Sequence, residues 1–138
     1  MRLLLTGASG FTGQHLSAVA QRYGFQVFSF NVDLTNQGEV LSEVKSIEPT
    51  HVVHLAAISS VTNPDEHAFY QVNLFGTQNL LQSLSVLRSP PSKVLLASSA
   101  NVYGNRAAES ISETACPQSH APGVTFSSTS PNHWLFRK

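Results

Sequence analysis

Residues 1–13 read Met1-Arg2-Leu3-Leu4-Leu5-Thr6-Gly7-Ala8-Ser9-Gly10-Phe11-Thr12-Gly13, and this stretch decides the fold. A short apolar strand runs into a turn with three spaced glycines, and Gln14 to Arg22 then reads as a helix closed by Gly24. Gly7 lets the chain turn sharply off the strand. Gly10 removes a side chain that would keep a diphosphate from the backbone, and Gly13 lets helix and sheet pack closely. Unpaired N–H groups at the positive end of the helix dipole then face an anion. The alternative is a strand-to-helix turn that needs glycine for its geometry alone.

Working outward, Phe25 to Phe30 is a second strand rich in β-formers. Asn36 caps a helix with Glu39 at its third position, a capping-box pattern. Val40, Leu41, Val44 and Ile47 share one face of that helix, and Pro49 ends it. His51 to Leu55 is a third strand, nearly all apolar, as expected of a parallel strand covered on both faces. Asn63-Pro64-Asp65-Glu66 starts another helix, whose buried face runs through Phe69, Val72, Gly76, Leu80 and Leu84 to about Leu87. Ser89-Pro90-Pro91 breaks it, and Lys93 to Ala97 is a fourth strand.

The order βαβαβαβ calls for a parallel sheet with right-handed crossovers, and the doubly wound arrangement places the strands as 3-2-1-4. The expected class is therefore α/β: a partial Rossmann fold opening on a dinucleotide-binding turn, with an irregular C-terminal tail. From Asn105 to Lys138 the sequence loses its apolar period and turns rich in Ser, Thr, Pro, Ala and His.

Length and composition narrow the function. A chain of 138 residues makes one domain, able to bury about two-thirds of its unfolded surface. Eight basic residues balance eight acidic ones, so no net field draws nucleic acid or a membrane surface. The apolar run after Arg2 is too short for a signal peptide or a membrane span. The single cysteine, Cys116, forms no internal disulfide. It reads as a bystander thiol in a Pro-rich loop, and the expected compartment is the cytoplasm.

Several segments then line up in order: TGASGFTG at 6–13, Asp33-Leu34-Thr35, HLAA at 54–57, VNLFGTQNLL at 72–81 and SSANVYG at 98–104. In these the chain resembles the N-terminal part of an extended short-chain dehydrogenase/reductase, of the nucleotide-sugar epimerase and dehydratase family, over roughly residues 1–118. The run from His54 to Val61 and the short second crossover are similar to those of GDP-sugar 4,6-dehydratases and 4-keto-6-deoxy-sugar reductases.

The resemblance implies an NAD- or NADP-binding oxidoreductase lineage acting on a nucleotide sugar. Gly7, Gly10 and Gly13, with the backbone at Phe11 and Thr12, would hold the pyrophosphate. Asp33, with Leu34, would meet the adenosine part, the alternative being a solvated loop acid. Leu55, Ala56 and Ala57 would line the path to the nicotinamide ribose. Asn73 would brace the strand ends, or be structural only. Ser98 stands beside Ser99, which matches the residue that hydrogen-bonds the sugar oxygen at the reacting carbon. No Arg or Lys follows the second strand to meet a 2′-phosphate, which tilts the cofactor to NAD. His54 reads as a satisfied core histidine rather than an acid or base.

That family's catalytic tyrosine belongs to a Tyr-x-x-x-Lys unit. Tyr23, Tyr70 and Tyr103 are followed four places later by Val27, Leu74 and Ala107. The expectation is therefore a truncated member, inactive as it stands, with residues 119–138 as an irregular tail read out of frame. A non-catalytic nucleotide- or partner-binding remnant is the alternative. Strand four would then be left as an apolar edge, and the oligomeric state stays open.

Overall fold

In the computed structural model, residues 1–58 and 66–98 are described, together with Tyr103, Ser112 and Thr114. The helix start expected at Asn63, Ser99, Cys116 and the 119–138 tail lie outside the described residues. The chain divides into two units, Met1–Ala97 and Ser98–Lys138. In the second, the Thr114 N–H donates to Ser112 Oγ at 3.2 Å.

The first unit runs β1 (Arg2–Thr6), α1 (Phe11–Arg22), β2 (Gln26–Phe30), α2 (Gln37–Ile47), β3 (His51–His54), α3 (Glu66–Tyr70), a π-helical turn (Gln71–Gly76), α4 (Thr77–Ser85) and β4 (Lys93–Leu96). All strand pairings are parallel, and the order is β2-β1-β3-β4. This corrects the expected order 3-2-1-4: the third strand lies on the far side of the first, not beyond the second.

The reason lies in contacts at the two ends of β1, an interior strand whose Leu3, Leu4, Leu5 and Thr6 are all buried. Threonine hydroxyls fasten β3 to its free edge at both ends. Thr50 Oγ1 accepts the Arg2 N–H at 2.9 Å and donates to the Arg2 carbonyl at 3.0 Å. At the other end, Thr6 Oγ1 reaches the His54 ring and the peptide beyond it. The short link from β2 to α2 holds an Asp33–Thr35 turn and the Asn36 cap, and no strand.

Direction of winding therefore reverses after β2. A right-handed crossover run in the opposite sense delivers its helix to the opposite face. The main core accordingly joins Leu4, Phe30 and Val52 of the sheet to Val40, Val44 and Ile47 of α2 and Leu80 and Leu84 of α4. Leu3 and Leu5 point to the other face by strand alternation, where α1 packs on β1 and β2.

Local chemistry sets the helix ends. Asn36 Oδ1 accepts the N–H groups of Gly38 and Glu39, and its amide donates to Glu39 Oε1 at 2.8 Å. The helix expected to run on to Leu87 is interrupted by the π-helical turn, where Gly76 presses against Leu34. A Cβ at position 76 would stand 2.9 Å from Leu34 Cβ.

Burial yields a contrast to test. Leu4 is fully buried at the centre of the sheet, while Leu95 on β4 is 55% exposed. Leu4→Ala is expected to lower unfolding free energy by about 2–5 kcal/mol, and Leu95→Ala by no more than about 0.5 kcal/mol. Urea titration of both variants checks this.

Candidate functional site

The reversal of winding falls between β1 and β3, and open α/β sheets bind ligands outside the carboxyl ends of the strands at such a point. There a cleft of about 280 Å³ is lined by Gly7, Gly10, Phe11, Thr12, Gly13, Leu55 and Ala97.

Its three glycines serve different ends. Gly7 has φ +69°, and a Cβ there would lie 2.9 Å from the Ala56 nitrogen. A Cβ on Gly13 would lie 2.2 Å from the Gly7 carbonyl oxygen. The chain's own packing demands both. Gly10 is not demanded: a Cβ there would meet only the Gly7 oxygen at 3.4 Å, an ordinary contact. What its missing side chain leaves open is the start of α1, where Gly10 is the N-cap and offers no side-chain acceptor. The N–H groups of Phe11, Thr12 and Gly13 have no acceptor within the helix, and the first turn carries no acid. The result is a small electropositive floor.

Asp33 sits beyond the end of β2, exposed. Its Oδ1 accepts the Thr35 N–H at 2.9 Å and the Thr35 hydroxyl at 2.8 Å. The backbone bond, then the hydroxyl bond, hold its carboxyl below the usual range near 3.8. One carboxylate oxygen is thereby fixed. Leu34 turns inward and is buried in the core, with its carbonyl accepting from Asn79 Nδ2 at 2.9 Å.

Leu55 and Ala56 are half-buried and Ala57 is exposed. The N–H groups of Leu55 and Ala56 donate to Thr6 Oγ1 at 3.1 and 3.0 Å. Asn73 grips Ile58 with both ends of its amide: Oδ1 accepts the Ile58 N–H and Nδ2 donates to the Ile58 carbonyl, each at 2.8 Å. Ser98 is exposed and belongs to the second unit. The glycine turn, Phe11, Thr12 and Leu55 thus share one cleft, whereas Asp33, Leu34, Ala56, Ala57 and Asn73 do not line it.

Sequence reasoning missed how His54 is held. The ring is buried, with Nδ1 on Thr6 Oγ1 at 2.6 Å and Nε2 on Thr77 Oγ1 at 2.9 Å. Its partners are the last residue of β1 and the first of α4, and no local pattern in the sequence pairs either with it. A second cleft, between α2 and α4, is lined by Gln37, Leu41, Gln82, Ser83, Ser85 and Val86, with no ionisable side chain. Among the described residues no group of three His, Cys, Asp or Glu could hold a metal ion. No helix there is long and apolar enough to cross a membrane.

The sequence model of the NAD dependent epimerase/dehydratase family matches residues 3–124. The chain is 38% identical over 123 residues to GDP-6-deoxy-D-talose 4-dehydrogenase of Aggregatibacter actinomycetemcomitans, covering 86% of this chain and 42% of that one. It is 34% identical over 122 residues to GDP-6-deoxy-D-mannose reductase of Pseudomonas aeruginosa, covering 84% and 38%. The crystal structure of Thermus thermophilus UDP-glucose 4-epimerase, in complex with NAD, superposes with a TM-score of 0.72 at 29% identity. It covers 86% of this chain and 44% of that one. The chain therefore spans less than half the length of these relatives.

Burial holds the His54 pKa below the ordinary imidazole value of 6.5. At intermediate pH the unfolded chain binds a proton at His54 that the folded chain does not, so stability is full above about pH 6.5 and falls as pH drops toward the folded pKa. Thermal melts between about pH 7.5 and 5 are expected to show Tm falling on acidification, and less steeply in His54→Gln.

Proposed function

Because the chain belongs to the NAD dependent epimerase/dehydratase family, we propose that residues 1–118 form the nicotinamide-dinucleotide-binding part of a nucleotide-sugar enzyme. One observation carries this reading. Gly10 is a glycine that packing does not require, standing as the N-cap of α1 beside amides that no side chain caps.

A pyrophosphate fits that cradle. Its oxygens would accept from the backbone of Phe11, Thr12 and Gly13, over the positive end of the helix dipole. Gly7 and Gly10 let the turn come close. Asp33 keeps one carboxylate oxygen outside the Thr35 turn, available to a ribose hydroxyl or the adenine, with the backbone of Leu34 beside it. Its negative charge disfavours a 2′-phosphate, and Asn31 and Val32 supply no cation. This favours NAD over NADP. Leu55, Ala56 and Ala57 would border the ribose of the nicotinamide half, with Asn73 steadying that segment through Ile58. Ser98 would contact the cofactor, and Ser99 would hydrogen-bond the sugar oxygen at the reacting carbon. When bound, the nicotinamide supplies hydride exchange with a sugar carbon. The similarity to two GDP-sugar enzymes supports a GDP-linked sugar as substrate class.

Proton transfer needs a positioned acid or base, worth about 10²–10⁴-fold in rate. No tyrosine of this chain has a lysine four places on. On that ground the chain binds the dinucleotide without turning over sugar, as a nucleotide-binding remnant would.

NADH fluorescence titration of the folded chain is expected to show saturable binding. Addition of GDP- or UDP-sugars should leave the absorbance of the reduced cofactor unchanged. Absence of NADH or NADPH uptake overturns the site, and sugar-dependent oxidation overturns the inactivity. Gly10→Val should weaken NADH binding more than about tenfold while shifting Tm by little, whereas Gly13→Ala should lower Tm outright. Paired melts and titrations decide.

A further inference from the structure

The hydrogen bonds around His54 have a single consistent direction. Thr6 Oγ1 accepts the Ala56 N–H at 3.0 Å and shares the Leu55 N–H, 3.1 Å away, with the Thr6 carbonyl at 3.3 Å. With two amides aimed at this oxygen, its own hydrogen is directed to His54 Nδ1, 2.6 Å away. Nδ1 is therefore an acceptor, and the ring proton sits on Nε2, which donates to Thr77 Oγ1 at 2.9 Å. The Thr77 hydroxyl passes its hydrogen to the Asn73 carbonyl at 2.7 Å. Asn73 in turn holds both backbone groups of Ile58.

This line of donors begins at the Leu55–Ala56 peptide and returns to the same segment at Ile58. The opposite tautomer would break it at two points. An Nδ1–H would compete with the Leu55 and Ala56 amides for the Thr6 oxygen, and the Thr77 hydrogen would have to leave the Asn73 carbonyl to reach Nε2. A protonated ring fails at the first of these points. The Leu55–Ala56 peptide is also the surface against which Gly7 turns, at a distance that admits no Cβ. Leu55 lines the cleft itself.

Building on the dinucleotide reading, we propose that His54 is a positioning residue. Locked as the neutral Nε2–H tautomer between Thr77 and Thr6, it sets the Leu55–Ala56 peptide, and with it the Leu55 wall of the cleft, and thereby the affinity for the dinucleotide. It touches no substrate and moves no proton to one. Its effect passes through the Thr6 hydroxyl on one side and the Asn73–Ile58 brace on the other.

The test uses Thr77, which lies outside the cleft. Thr77→Val keeps the shape and removes the hydroxyl; Thr77→Ser keeps the hydroxyl. Nitrogen-15 NMR of the wild type should show a pyridine-type Nδ1 and a pyrrole-type Nε2 on His54. In Thr77→Val that single tautomer should be lost, exchange of the Ala56 amide should rise about tenfold, and NADH should bind about fivefold more weakly. Thr77→Ser should restore all three.

A wild-type ring protonated on Nδ1 overturns the proposal by itself, even if Thr77→Val does not fold. So does a folded Thr77→Val that binds NADH as the wild type does, or a Thr77→Ser that fails to rescue. A wild type with the expected tautomer and protected Ala56 amide that takes up no NADH refutes instead the dinucleotide reading on which the proposal rests.

Discussion

One hydroxyl carries the architecture of the carboxyl end of the sheet. Thr6 Oγ1 takes two amides from the chain leaving β3 and is hydrogen-bonded to the last side chain of β3. A polar atom this buried must be fully satisfied or it destabilises the fold. Satisfying it allows only one relative placement of β1, β3 and the segment beyond. The glycine turn that follows Thr6 inherits that placement, and so does the peptide it leans on. The cleft is the space left between them.

That constraint also explains which parts of the molecule were legible beforehand. The opening strand, the glycine turn and the start of α1 are encoded within thirteen consecutive residues by spacing alone, so no distant partner was needed to read them. The α2 cap was legible for the same reason: Asn36 and Glu39 act on amides two or three places away. Strand order was not. The apolar run His51 to Leu55 reports a strand covered on both faces but not the edge it joins. That choice is made by Thr6 and Thr50 acting across nearly fifty residues, and in the sequence they look like any other threonine.

The site divides in the same way. Gly7, Gly10, Phe11, Thr12 and Gly13 were readable as a unit, because one turn holds them. Leu34 was grouped with Asp33 as its neighbour, yet consecutive residues in an extended turn face opposite ways. Asp33 folds over Thr35 in solvent, while Leu34 is sealed under Gly76. His54 reads in the sequence as a satisfied core histidine, and its ring is buried with a partner at each nitrogen. What pattern could not supply was the identity of its two hydroxyl partners, and hence the direction of its proton.

The π-helical turn at Gln71–Gly76 has a consequence for how this segment tolerates changes of length. A wider turn accommodates one more residue than the regular helix it interrupts, and each residue advances an α-helix by about 100°. Removing a single amino acid between Gln71 and Gly76 would let the turn relax into ordinary α-helix without shortening the span appreciably. Leu80 and Leu84 would keep their alignment with α2. The side chain of Asn73 would swing off Ile58. The extra residue is thus a spacer, one that keeps the hydrophobic stripe in phase while turning an amide toward the sheet. A one-codon deletion here would leave a well-packed protein with its polar latch undone.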